Sequence, residues 1–151
     1  MAFDWREFLL LAHRLRHIGA DSEADHRTAV GRAYYYAYNE ALAEGRKLGY
    51  NPNAPSRLGV HRRLWPWYSS YPDPQVAALG VMGATLHARR IEADYYRDMS
   101  GDVRCQVQRQ LEDTREFEIL LARVADRPEP PPLALNGTSP GPACASPPPE
   151  C

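Results

Sequence analysis

The residues able to do chemistry are few, and their spacing puts them on helix faces. Arg32, Tyr35, Asn39 and Arg46 fall within about 60° of one another at about 100° per residue, a polar stripe with an aromatic in it. Further along, Arg89-Arg90 precedes Glu92, Asp94 and Tyr95, and Arg90 and Asp94 are i, i+4 and can pair. Between them, His61-Arg62-Arg63 stands beside Trp65, Trp67 and Tyr68. Cations interleaved with aromatics suit single-stranded nucleic acid, through charge plus base stacking. Each set also has a plainer reading. Arg90 with Asp94 makes an ordinary salt bridge, the tyrosines at 34–36 and 38 pack a core with their hydroxyls at its rim, and the segment from His61 to Tyr68 forms a lid over one end of the fold.

Several chemistries lack their residues. The chain has no phosphate loop, no GxSxG, no HExxH and no dinucleotide fingerprint. Glu23-Ala24-Asp25-His26 is a single Glu-x-x-His, without the second copy a di-iron bundle needs. His13 and His17 share a helix face but have no evident third ligand. The three cysteines, Cys105, Cys144 and Cys151, form no CxxC pair. We therefore expect no metal, no cofactor and no disulfide framework.

The elements that must position these residues are helical. Asp4 caps a first helix, with Glu7 three residues on, and Phe8, Leu11, Ala12, Leu15 and Ile18 recur at helical spacing up to Gly19. A long second helix begins near Asp21-Ser22, buries Ala29, Ala33, Tyr36, Ala37 and Ala41, and ends at Gly49 before Pro52. A loop over 50–58 leads to a short helix, Leu58 to Leu64, which stops before Trp65-Pro66. Asp73-Pro74 opens a fourth helix that carries Val76, Leu79, Gly83, Leu86 and Ile91 toward Tyr96, with Gly80 and Gly83 marking close packing. Asp102 caps a last helix with a stripe of Val103, Val107, Leu111, Thr114, Phe117, Leu121 and Val124. No alternating strand pattern and no repeat occurs. The expected class is all-α: an antiparallel four-helix bundle with an extra short helix.

Composition sets the bounds. The 151 residues suit one domain, and 18 basic against 19 acidic residues give a net charge of −1. That excludes a chain coated in positive charge but leaves room for a local basic patch. No apolar run approaches the roughly 18 residues of a membrane span. Met1-Ala2-Phe3-Asp4 has neither the basic nor the apolar region of a secretory signal, so the expectation is a cytoplasmic protein without a membrane partner. Nine of the 14 prolines lie between Pro128 and Pro149. Residues 1–126 are therefore read as the helical domain and 127–151 as a disordered, Pro-rich tail.

Arg27-Thr-Ala-Val-Gly-Arg-Ala-Tyr-Tyr-Tyr-Ala-Tyr-Asn39 resembles the second-helix signature of small HEPN-domain proteins, roughly RSAISRAYYAAFH. The opening Phe3-Asp-Trp-Arg-Glu-Phe-Leu9, the His61 that follows a loop, and Leu86-His-Ala-Arg-Arg90-Ile-Glu-Ala-Asp94-Tyr95 are similar to further elements of that family, in the expected order over about residues 3–125. The resemblance implies a HEPN-like bundle, commonly a homodimer. It implies either a metal-independent ribonuclease or a non-catalytic module that binds RNA, a nucleotide, or a nucleotidyltransferase or antitoxin partner, in RNA-processing, toxin–antitoxin or antiphage systems. The family's active motif is Arg, four to six residues, then His. Arg90 matches the Arg, but Tyr95 stands where the His is expected, and Asn39 replaces the His of the second-helix signature. A histidine exchanges protons near neutrality, whereas a tyrosine, ordinarily near pKa 10, holds its proton there. Binding is therefore placed ahead of cleavage, and a purely structural dimerisation module behind both. The expected catalytic group is Arg90, Asp94 and Tyr95, and the expected binding group is Arg32, Tyr35, Asn39, His61, Arg62 and Arg63.

Overall fold

The computed structural model describes residues 3–18 and 22–127; Gly19, Asp21, the Ile18 side chain and the expected tail from 128 onward lie outside them. The described residues form five helices and no strand: α1 (Arg6–Ile18), α2 (Glu23–Lys47), α3 (Val60–Ser69), α4 (Pro74–Tyr95) and α5 (Val103–Ala125). None is long and apolar enough to cross a membrane.

The helix starts follow local cap chemistry. Asp4 accepts from the Arg6 N–H at 2.9 Å, Ser22 from Asp25, Asp73 from Gln75 and Val76, and Asp102 from Arg104. Gly49 follows the end of α2 with φ 98°, a left-handed conformation that glycine adopts without cost.

The α3 boundaries differ from the expectation. The helix starts at Val60 and runs through Trp65-Pro66-Trp67-Tyr68 to Ser69. Pro66, inside the helix, removes one backbone donor, and the expected end is Leu64. Trp65 and Tyr68, at i and i+3, are both buried, and the Tyr68 hydroxyl donates to the Ala41 carbonyl at 2.7 Å. Burying two large aromatics outweighs the lost helical hydrogen bond.

α2 is the central element and packs against α1, α4 and α5, while α3 lies mainly on α4. Its expected stripe of Ala29, Ala33, Tyr36, Ala37 and Ala41 is buried throughout. On α5 the stripe is buried from Val107 to Val124, with Val103 only half-buried. Gly80 and Gly83 let α4 approach α3. A Cβ on Gly80 would fall on the Ser69 backbone, and one on Gly83 inside the Trp65 indole. Polar ties complete the packing. Tyr36 donates to Glu118 at 2.8 Å and Arg6 pairs with Glu118 at 3.0 Å, joining α1, α2 and α5. Arg27 donates to the carbonyls of Ala93, Tyr96 and Arg97 at 3.0, 2.7 and 2.8 Å, which holds the end of α4 on α2. Arg127, at the edge of the expected tail, pairs with Asp73.

Candidate functional site

α2 brings Arg32, Tyr35, Tyr38 and Asn39 to one open cleft of about 350 Å³, closed by Trp5 and Phe8 at the start of α1 and by His61 at the start of α3. The expected binding residues Arg32, Tyr35, Asn39 and His61 thus share one wall-to-wall site. Phe3, Trp5 and Phe8 cluster at 5.0 to 5.5 Å between ring centroids, with Trp5 edge-on to both phenylalanines. Arg32 lays its guanidinium 4.8 Å from the Phe8 ring, a cation–π contact at the cleft wall. The Asn39 amide donates one N–H to the Tyr35 carbonyl at 2.7 Å, so the carbonyl oxygen and the second N–H are the parts a ligand can use.

Arg90 stands behind this cleft. Its Nη2 donates to the Tyr35 hydroxyl at 2.8 Å and its Nε lies 2.7 Å from Asp94. The guanidinium is sandwiched 5.4 Å from the Tyr35 ring and 5.3 Å from the Tyr95 ring, with 12% of the side chain exposed. The plain ion pair with Asp94 is therefore present, and Arg90 also reaches the cleft wall through Tyr35. Tyr95 is 68% exposed and covers the outer face of Arg90.

His61 sits in an aromatic cage. Its ring centroid is 4.2 Å from Tyr38, 5.8 Å from Tyr34 and 5.8 Å from Tyr35. The Trp65 indole N–H donates to the Tyr34 hydroxyl at 3.4 Å, and that hydroxyl lies 3.1 Å from His61 Nδ1. Tyr34 is fully buried, and burial pushes its pKa up, so it keeps its proton. With one donor already pointing at it, its own O–H is satisfied by donating to Nδ1. Neutral His61 then carries its proton on Nε2.

A second groove, of about 430 Å³, starts on the other side of His61 and is lined by Gly59, Val60, Arg62, His87 and Ile91. His87 stacks on Tyr34 at 5.1 Å and lies 6.1 Å from the His61 ring. Burial lowers the pKa of both histidines; Arg90 adds to the effect on His61, and His61, Arg90 and Arg62 add to it on His87. Among the described residues no carboxylate lines the cleft or the groove, and no group of three metal-ligating side chains occurs.

This electrostatics has a consequence for stability. The unfolded chain binds protons on these two histidines below the ordinary value of about 6.5, while the fold holds them neutral to lower pH. Their contribution is present above that value and is lost as pH falls through the lowered values of the folded state. Thermal melts are expected to show a midpoint that drops between about pH 7 and 5, and a His61→Gln, His87→Gln double variant should lose part of that drop.

Two expected residues stand elsewhere. Arg63 turns its guanidinium to the 50–58 loop, donating to the carbonyls of Ala54 at 2.7 Å and Pro52 at 2.5 Å, and so clips the loop to α3. Arg46, the last member of the polar stripe, is exposed beyond the cleft. Trp65, read as part of a basic–aromatic cluster or lid, is a core side chain with 2% exposure and presents no face to a ligand. Sequence reasoning did not single out His87, Trp5 or Phe8. His87 was findable as the residue one turn before Arg90, on the face that continues to Asp94. Trp5 and Phe8 show an i, i+3 aromatic spacing at a helix start. Set against known proteins, the chain matches no family model, no curated protein and no solved structure.

Proposed function

We propose that this chain is a HEPN-like four-helix bundle, with α3 as the extra short helix, and that it binds single-stranded RNA in the cleft between α1, α2 and α3. The observation that carries the reading is the meeting of Trp5, Tyr35, Tyr38 and His61 with Arg32 and the half-used Asn39 amide, with no carboxylate lining the cleft. Flat aromatic walls suit a base, the amide offers a donor and an acceptor to a base edge, and Arg32 supplies local charge in a chain whose net charge is −1. The setting proposed with it is RNA processing, toxin–antitoxin or antiphage defence in the cytoplasm. A homodimer would cover Val81, Tyr95 and Tyr96, large side chains left exposed on and after α4.

Cleavage is the second reading. It is favoured by the 2.8 Å bond from Arg90 to Tyr35, which ties the one matching residue of the HEPN motif to the cleft that also holds His61. In that reading Arg90 holds the scissile phosphate and Tyr95, with Asp94, moves the proton.

One experiment separates them. Purified protein is mixed with short single-stranded RNA in the absence of metal, and both affinity and RNA length are measured. Trp5→Ala and Arg32→Ala should each weaken binding about tenfold, the lower end of the roughly 1–3 kcal/mol that stacking contributes per base, with helicity unchanged. RNA that stays intact supports a binding module. Fragments that vanish with Arg90→Ala and Tyr95→Phe would establish the ribonuclease instead, and no binding by the unaltered protein would reject both.

A further inference from the structure

His61 is the shared wall of the two cavities, and the groove beyond it differs in kind from the aromatic cleft. It is framed by His87 and Arg62, and Val60 and Ile91 make the rest of its lining mainly apolar. The groups that face the two histidines come from three helices. Tyr34, Tyr35 and Tyr38 approach from α2, Arg62 from α3, and Arg90 with its partner Asp94 from α4. Apart from Asp94, which the Arg90 charge already meets, every charge near the pair is positive. A metal ion would lack a third ligand and would be repelled by Arg62 and Arg90. An anion meets neither obstacle.

Both imidazoles can respond to one. No hydrogen bond among the described residues uses the His87 ring nitrogens, and His61 presents Nε2 because Nδ1 is engaged by Tyr34. We propose that the His61–His87 groove is a phosphate subsite continuous with the aromatic cleft, in which His61 donates its Nε2–H and His87 takes up a proton when the phosphodiester beside the stacked base enters it. The proposal rests on the reading of the cleft as an RNA site, since a base seated against His61 directs its neighbouring phosphate across that ring.

The physical basis is linkage. In the empty groove partial burial, with the nearby arginines adding to it, favours the neutral form of both rings. A phosphodiester charge placed against them favours the imidazolium of His87, whose second nitrogen is unengaged, so binding draws in a proton in the interval between its empty and occupied values. Affinity then rises by up to about tenfold per pH unit for each proton taken up.

The test uses the full chain and a fluorescently labelled oligouridylate, whose bases do not titrate in the range. Anisotropy is measured at constant ionic strength between about pH 7.5 and 5.5. The unaltered protein should bind about ten- to a hundredfold tighter at the lower value. His87→Gln, which keeps a polar planar end, should flatten that slope, whereas His61→Gln and Arg62→Gln should weaken binding and leave a slope in place. Binding that is retained but independent of pH, or a slope that survives unchanged in His87→Gln, overturns the subsite while leaving RNA binding intact. Absence of binding at every pH overturns the RNA reading and the subsite with it. Should either glutamine variant fail to fold, the imidazole proton resonances of the unaltered protein give the same answer. Dimethyl phosphate, a non-titrating phosphodiester, is expected to shift those of His61 and His87, and unmoved resonances would reject the proposal.

Discussion

Gly83→Ala is expected to destabilise the fold by about 3 kcal/mol and to lower its melting temperature by roughly 10 °C. Two effects of opposite sign meet at this position. Alanine is the better helix former by about 1 kcal/mol, so propensity alone predicts stabilisation of α4. Against that, the added Cβ would lie within the Trp65 ring, whose other faces are packed against Tyr34, Tyr38, Tyr68 and Phe117. A fully enclosed indole cannot move aside cheaply, and forcing it costs more than the propensity returns. Thermal or denaturant unfolding reads the sign directly. In a Trp65→Leu background the penalty of Gly83→Ala should shrink by more than half, because the clashing atoms are gone. A stabilised Gly83→Ala protein would show that α3 and α4 do not approach this closely.

Arg27→Ala should cost about 2 kcal/mol through lost hydrogen bonds rather than lost apolar packing. One guanidinium donates at 3.0 Å or less to three carbonyls at the end of α4, with that of Glu92 at 3.5 Å as a fourth, and its side chain is only 18% exposed. The three nearer carbonyls have no helical donors of their own, so Arg27 acts as the cap that the end of α4 lacks. Its loss frees Ala93 to Arg97, and with them the frame that holds Asp94 and Tyr95 around Arg90. Arg27→Lys should recover less than half of the loss, since a single ammonium cannot span the three acceptors. Amide exchange is expected to speed up at the end of α4 and stay slow in α5; uniform acceleration would instead make Arg27 part of the global core.

The fold was legible where its causes are local. Ser22, Asp73-Pro74 and Asp102 announce helix starts because the cap side chain and the N–H it serves are two or three residues apart. The apolar stripes of α2 and α5 were legible because period alone decides which face is buried. The end of α3 was not. Pro66 is a local signal for stopping, and what overrides it is the burial of Trp65 and Tyr68 against α2, α4 and α5, which no window of the chain contains.

The candidate site divides in the same way. Arg32, Tyr35 and Asn39 were visible as one face of a single helix, and the structure keeps them together. That Arg90 would touch Tyr35 depends on how α4 crosses α2, and that Arg63 would serve the loop depends on where Pro52 and Ala54 return. His87 has no motif around it, and only the stacking of its ring on Tyr34 and its approach to His61 give it meaning.

The placement of the indoles makes the molecule its own optical probe. Trp5 stands at the cleft and Trp65 at 2% exposure in the core, hydrogen-bonded to Tyr34. With the third indole, Trp67, replaced by Phe, a base stacking on Trp5 under the proposed function would quench one emitter and leave the shielded one untouched, whereas unfolding would move the emission of Trp65 to the red. Occupancy and integrity are thus reported by separate chromophores in the same spectrum, with no label attached.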